Sequence, residues 1–140
     1  MFRRGVTAWV AGAAWHLLAA SSASASHLPT IFSGDRCVDS CERLVPVYSV
    51  RPHTVTCQEE LGGELTLKWS HWTATKAVGS GTSMELFMGH EFRYHVRVVA
   101  SAPVGGHFTR LHLEFSGSRP SETLRPLRNN GVPYIWGSEP

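Results

Sequence analysis

Alternation of apolar and polar residues along the chain predicts β-strands, and residues 64–72 show this pattern most clearly. One face would carry Leu65, Leu67, Trp69 and His71, and the other would carry Glu64, Thr66, Lys68, Ser70 and Trp72. Side chains three residues apart on a regular strand point to opposite faces. We therefore expect Trp69 to face the core and Trp72 to lie on the outside.

Two later segments, 92–98 and 107–115, alternate in the same way and are separated by a loop that contains Gly105 and Gly106. The residues predicted to point inward are Phe92, Tyr94, Val96, Val98, Thr109, Leu111, Leu113 and Phe115. The residues predicted to point outward are Arg93, His95, Arg97, Arg110, His112 and Glu114. This pattern predicts an antiparallel hairpin with one solvated face.

Shorter segments extend the prediction to an all-β fold. Residues 44–50 favour a strand, but Pro46 lacks a backbone donor and suits only an edge strand or the start of a strand. Residues 53–57 are predicted to form a hairpin with 64–72 through the turn at Gly62 and Gly63. Strands and turns recur at the spacing of a sandwich or barrel, and we predict an antiparallel β-sandwich.

The predicted sandwich domain spans residues 43–117. Before it, residues 26–42 are rich in small and turn-forming residues and are predicted to form an irregular N-terminal arm. After it, residues 118–140 are rich in proline and are predicted to form a C-terminal tail. The apolar segment 132–136 within that tail should dock against the domain, since it is too apolar to be left in water.

Residues 1–25 have the features of a helical signal peptide that is removed on export. They contain Arg3 and Arg4, an apolar run over residues 6–20, and a small-residue region that ends at Ala25. The apolar run is shorter than the roughly 20 residues that cross a bilayer. We expect cleavage after Ala25, a secreted or envelope-associated protein, and no stable membrane insertion of the mature chain.

Removal of the signal peptide would leave the chain close to neutral. The sequence has 13 Lys and Arg residues against 11 Asp and Glu residues, and Arg3 and Arg4 account for the difference. A nucleic-acid-binding protein is expected to show a clustered basic excess. No nucleic acid partner is predicted.

Three cysteines, Cys37, Cys41 and Cys57, would meet an oxidising environment after export. We predict a disulfide between Cys41 and Cys57, with a bridge between Cys37 and Cys57 as the alternative. A bond between Cys37 and Cys41 would require a tight turn between them. An odd cysteine remains in each case.

Four sequence features occur together between residues 54 and 117. They are Cys57, the L-x-W-x-x-W motif of Leu67, Trp69 and Trp72, the stretch A-V-G-S-G-T with Gly79 and Gly81, and Phe108-Thr109-Arg110-Leu111 before Gly117. In this combination the chain resembles a group of small secreted β-domain proteins of actinobacteria. The resemblance implies secretion and a β fold, and it implies no particular activity. The second cysteine pair usual in that group is missing here.

Metal binding and catalysis find little support in the sequence. His95 and His112 would share an outward face and are the candidate metal ligands, with Glu114 as a third, but neighbouring arginines would repel a cation. No G-x-S-x-G motif or H-E-x-x-H motif occurs. We predict a protein without catalytic residues or cofactor, and the alternative is a small secreted hydrolase or metal-binding protein.

The remaining candidate for function is an aromatic platform. An outward Trp72, together with Tyr134 and Trp136, would offer rigid apolar rings to a cell-wall carbohydrate or to a partner protein. The competing expectation is that segment 132–136 folds back and covers Trp72. The sequence thus predicts a non-enzymatic binding or structural module outside the cell.

Overall fold

The computed structural model describes residues 27–57 and 63–138, which form nine β-strands. The strands are β1 (Ile31–Val38), β2 (Arg43–Ser49), β3 (Thr54–Cys57), β4 (Gly63–Trp72), β5 (Ala77–Phe87), β6 (His90–Val104), β7 (His107–Phe115), β8 (Glu122–Asn129) and β9 (Val132–Ser138). Strands β3 to β9 form a closed barrel, and β1 and β2 form a separate two-stranded sheet.

The barrel confirms the all-β prediction and corrects the predicted sandwich. From β3 to β9 each strand pairs antiparallel with the next one along the chain. A parallel contact between Cys57 and Trp136 then joins β3 to β9 and closes the ring. A sandwich would leave two edges on each sheet, whereas closure removes them.

The prediction of a C-terminal tail over residues 118–140 was wrong, because β8 and β9 lie within it and complete the barrel. Leu124 and Trp136 on these strands are fully buried. Strand β8 pairs with β7 only over residues 122–124, so its second half, including Pro126, has a barrel neighbour only in β9. Proline is tolerated on a strand that lacks one neighbour, and its presence concealed the strand in the sequence.

The predicted irregular arm over residues 26–42 is also corrected, since it contains β1. Strand β2 pairs only with β1 among the described residues, so of the two predicted positions for Pro46 the structure shows the edge strand and not the strand start. The start of β1 enters the barrel core, where Ile31 and Phe32 are buried. The β1–β2 hairpin is therefore anchored at its base and projects at its tip.

Two indole N–H groups hold that base in place. Trp72 Nε1 donates a hydrogen bond to Pro29 O over 2.9 Å, and Trp136 Nε1 donates to Phe32 O over 2.6 Å. Thr30 adds a backbone bond to the barrel, since its N–H donates to Gly106 O. A buried indole N–H needs an acceptor, and here the backbone of the β1 segment supplies it.

The disulfide joins Cys37 to Cys41 across the turn at the tip of the β1–β2 hairpin, with the Cα atoms 4.4 Å apart. The predicted Cys41–Cys57 bond and its Cys37–Cys57 alternative are both wrong. Cys57 lies inside the barrel, where it is 2% exposed, whereas the other two cysteines are at the exposed tip. Asp39, Ser40 and Cys41 adopt positive φ angles, which supply the tight turn that this bond requires.

Peptide mapping under non-reducing conditions should confirm this pairing. Trypsin cuts after Arg36 and after Arg43, so the peptide 37–43 contains both bonded cysteines. We expect this peptide to be lighter than its reduced form by the two hydrogen atoms that the bond displaces. A peptide cross-linked to the one that holds Cys57 would contradict the pairing.

The predicted signal peptide lies outside the described residues, as does Gly62 of the predicted turn between β3 and β4. The antiparallel pairing of those two strands is confirmed, with Val55 opposite Leu65. No helix that is long and apolar enough to cross a membrane occurs in residues 27–57 or 63–138.

Candidate functional site

A β-bulge at Ser70 changes which residues of β4 face outward. Trp69 lies opposite Gly79 on β5, but His71 lies opposite Val78, so Ser70 is an extra residue in the ladder. An extra residue reverses the alternation beyond it. As a result Trp72 faces the core, and Ser70 and His71 are both exposed on the outer surface.

The burial of two of its three rings corrects the predicted aromatic platform. Trp72 is 7% exposed and Trp136 is fully buried, so neither can offer a ring face to a ligand. Tyr134 is 44% exposed and lies on the surface without them. Trp72 is covered, as the competing expectation requires, and it belongs to the same core as Trp136 of segment 132–136. Its indole also packs edge-on against Trp69 and Phe108 and donates to Pro29 O.

The outer surface at the bulge forms a groove of about 550 Å³, which we call the cationic groove. It is lined by Ser70, His71, Thr73, Thr75, Lys76, Val78 and Arg97. Lys76 and Arg97 bring positive charge, His71 brings an imidazole, and three side chains bring hydroxyl groups. No carboxylate is among its lining residues in the described part of the chain.

The loop between β4 and β5 places Lys76 at one end of this groove. Thr73 Oγ1 accepts a hydrogen bond from Lys76 N over 3.1 Å and donates to Lys76 O over 3.0 Å. The backbone N–H of Thr73 also donates to Lys76 O, over 2.8 Å. A threonine that bonds its own loop in this way stabilises a short turn. The position of the Lys76 backbone is therefore well defined.

Arg97 on β6 lies between the cationic groove and a second hollow of about 500 Å³. The second hollow is lined by Ser80, Gly81, His95, Val96, Arg97, Glu114, Phe115 and Ser116. Arg97 Nη1 donates to Glu114 Oε2 over 3.2 Å, across the β6–β7 ladder. A guanidinium has five N–H donors, so the remaining donors can bind a ligand. Glu114 thus orients Arg97 without consuming its capacity to bind.

The predicted metal ligands His95 and His112 are not opposite each other. The β6–β7 register pairs His112 with Val99 and Arg97 with Glu114, while His95 lies beyond the last pair. His112 Nδ1 instead makes a hydrogen bond with Thr123 Oγ1 over 3.0 Å. Within residues 27–57 and 63–138, no group of three or more His, Cys, Asp or Glu residues is placed to hold a metal ion.

Ser70 and His71 form the only side-chain contact in the groove with the appearance of a nucleophile and a base, as far as the chain is described. Ser70 Oγ lies 3.1 Å from His71 Nδ1, and it lies equally close, at 3.1 Å, to the carbonyl oxygen of Val78. A nucleophilic serine must give that hydrogen to the base. The Val78 carbonyl therefore competes with the imidazole for the hydroxyl hydrogen.

Comparison of the chain with known protein families, with curated proteins and with solved structures found no match. The resemblance to actinobacterial secreted proteins stays a prediction. The cationic groove must therefore be interpreted from its own chemistry.

Part of this groove could be predicted from the sequence. The alternation placed Arg97 on the outer face, where it is exposed, and it placed His95 of the second hollow on the same face, where it is also exposed. It placed His71 in the core, because nothing in the local sequence marks the bulge at Ser70. The role of Lys76 depends on the loop that Thr73 closes, and the T-A-T-K sequence was a signal for that turn.

Proposed function

We propose that the protein is an exported, non-enzymatic binding module whose ligand is an acidic polysaccharide of the cell envelope. The observation that carries this proposal is the lining of the cationic groove, which combines Lys76, Arg97 and His71 with three hydroxyl groups. Carboxylates and phosphates on a polysaccharide are recognised by such cations, and its hydroxyl groups by such hydroxyls.

The chemistry of the groove matches an extended ligand. Arg97 lines both hollows, which together cross the outer surface from β4 to β7, and Glu114 is the one carboxylate among their lining residues in the described part of the chain. A guanidinium can hold a carboxylate or phosphate through two parallel hydrogen bonds, whereas the Lys76 ammonium acts as a point charge. A polymer with repeating acidic groups would engage both cations at once, which raises its affinity over that of a single acidic sugar.

Two further observations support export. The signal-peptide pattern of residues 1–25 predicts it, and the Cys37–Cys41 disulfide is of the kind that persists in an oxidising compartment. The Val78 carbonyl, which competes with His71 for the Ser70 hydroxyl hydrogen, favours a binding role over nucleophilic catalysis at this surface.

Retention on an immobilised acidic polysaccharide tests the proposal. We expect the purified protein to bind polygalacturonate beads more strongly than neutral dextran beads, and to be released by salt, which screens exposed charges. The double variant Lys76→Gln/Arg97→Gln should bind at least about tenfold more weakly, because it removes both cations from the groove. Equilibrium depletion from solution measures the affinity.

Arg125→Gln is the matched control. Arg125 is exposed on β8 and does not line the cationic groove. The double variant should keep its thermal stability, since the Arg97–Glu114 pair is exposed and such pairs contribute about 1 kcal/mol or less. Equal binding by wild type, double variant and control would reject the cationic groove as the ligand site.

A further inference from the structure

The β5–β6 hairpin extends beyond its neighbours in the barrel. Strands β5 and β6 pair as far as Phe87 and His90, which flank the turn. On one side β4 pairs with β5 no farther than Glu85, and on the other β7 pairs with β6 only from Val96 onward. Among the described residues, the edge of β6 from His90 to Tyr94 therefore has no strand beside it.

The tip of this hairpin is unusually apolar for an exposed element. Leu86, Phe87, Met88 and Phe92 are 44%, 50%, 77% and 42% exposed. Single exposed apolar residues are ordinary, but four large ones within seven residues form a patch of the kind that binds a partner.

At the point where the β5–β6 hairpin extends beyond the barrel, side-chain contacts fix the base of the hairpin. The Arg119 guanidinium carbon lies 4.3 Å from the ring centroid of Tyr94 and 4.1 Å from that of Phe115, and the side chain forms an ion pair with Glu85. These contacts join both strands of the hairpin to β7 and to the segment that follows it. A partner would meet a preorganised edge, which reduces the entropic cost of binding.

The backbone groups on the open edge can be assigned from the register. Phe87 and His90 flank a two-residue turn and so exchange both hydrogen bonds with each other. The direction in which the backbone groups point alternates from one residue to the next along β6. The N–H and C=O groups of Glu91, Arg93 and His95 therefore point away from β5. The hydrogen bond from Ser116 N to His95 O, over 3.1 Å, agrees with this assignment.

The open edge also lacks the usual protection against strand pairing. Native proteins interrupt such edges with proline or with bulges. Residues 90–95 contain no proline, and the β5–β6 register runs without irregularity. The charged residues Glu91 and Arg93 are the protection that remains. Their signs are opposite, and within one chain they form an ion pair with each other.

We propose that this edge is the interface with a second copy of the chain, paired antiparallel about a two-fold axis at Phe92. In this register Phe92 lies opposite the partner's Phe92, and Glu91 lies opposite the partner's Arg93. The outward backbone groups of Glu91 and Arg93 meet those of the second copy, which is the hydrogen-bonded pair that an antiparallel ladder requires. A two-fold interface is self-complementary in this sense.

The charged side chains favour this register over the two registers in which the two-fold axis lies one residue earlier or one residue later. A two-fold axis at Glu91 would place two carboxylates opposite each other, and an axis at Arg93 would place two guanidinium groups opposite each other. Like charges directly opposed across a ladder are destabilising, whereas opposite charges and aromatic pairs are favourable. Only the axis at Phe92 joins opposite charges and pairs aromatic rings.

Charge exchange at this edge tests the proposal, with sedimentation velocity over a range of concentrations as the measurement. Wild type should show a concentration-dependent dimer. Glu91→Arg alone and Arg93→Glu alone should each raise the dissociation constant about tenfold or more. An equimolar mixture of the two single variants should dimerise again, because opposite charges then face each other across the seam.

Glu64→Arg serves as the matched control, since Glu64 is exposed on β4 away from this edge. It should dimerise as wild type does. A wild type that stays monomeric at high micromolar concentration overturns the proposal, and so does a mixture that stays monomeric while each variant remains folded by circular dichroism.

A cysteine cross-link provides a second, independent test of the register. Phe92→Cys should form a disulfide-linked dimer under mild oxidation, because directly opposed residues of a non-hydrogen-bonded pair have suitably close Cβ atoms. Val104→Cys is more accessible, since Val104 is 67% exposed against 42% for Phe92, but it lies at the far end of β6 and should give no cross-linked dimer. Equal cross-linking of the two variants would overturn the proposed seam.

Discussion

Replacing Trp136 with alanine should lower the free energy of unfolding by about 4 kcal/mol. The indole is fully buried, and its Nε1 donates to Phe32 O. Truncation therefore leaves a large cavity and removes the donor for a buried carbonyl. Urea denaturation followed by circular dichroism measures the effect without relying on tryptophan fluorescence.

Two further variants of β9 separate the causes of this loss. Trp136→Phe keeps much of the packing but removes the N–H, and should cost less than the alanine variant. Tyr134→Ala, two residues earlier on the same strand, removes an exposed ring and should change stability by about 1 kcal/mol or less. A ligand platform predicts the reverse, with retention lost and stability kept in Trp136→Ala, and that result would contradict the core position of this ring.

The second large effect is expected at Gly81, where alanine should destabilise the barrel by about 3 kcal/mol. A Cβ atom at this position would lie 1.8 Å from the backbone oxygen of Thr66 on β4. The obstacle is backbone, so no side chain can rotate away, and the two strands must move apart. Thermal and urea unfolding of Gly81→Ala should both show the loss.

Gly79→Ala and Ser80→Ala provide graded comparisons within the same strand. A Cβ at Gly79 would lie 2.9 Å from the ring of Trp69 and 3.1 Å from the backbone oxygen of Lys68, which is a less severe approach than at Gly81, so we expect a smaller loss. Ser80 is exposed between the two glycines, and its alanine variant should be nearly neutral. Equal stability of Gly81→Ala and Ser80→Ala would show that the close approach of β4 and β5 is not required.

Alternation in the sequence predicted the faces of the strands well where the ladder is regular and lies within the barrel. Phe92 was predicted to point inward but is exposed, because this part of β6 extends beyond the barrel. Leu65 and Leu67 are buried as expected, and so are Val98 and Leu111. The prediction failed at Trp72 because a bulge is a property of two strands together. Ser70 is an extra residue only because β5 has no residue opposite it. The pattern of apolar and polar residues in β4 alone does not contain this information.

The ends of the chain were harder to predict for a different reason. Strands β8 and β9 contain prolines and several charged or polar residues, which locally resemble a tail. Only closure of the barrel gives Leu124 and Trp136 a core to enter. The disulfide pairing likewise could not be predicted from the sequence, because cysteine connectivity depends on which hairpin brings the sulfur atoms together.

The way the barrel closes has a consequence for the order of folding. Each barrel ladder from β3 to β9 joins neighbours in the sequence, but the closing contact brings Cys57 to Trp136, and the Trp136 indole reaches Phe32, 104 residues earlier. Contacts between distant residues form slowly, because the chain between them must first be ordered. A chain emerging from the ribosome therefore cannot complete its core until the last strand is made, and we expect ring closure to be the late step of folding.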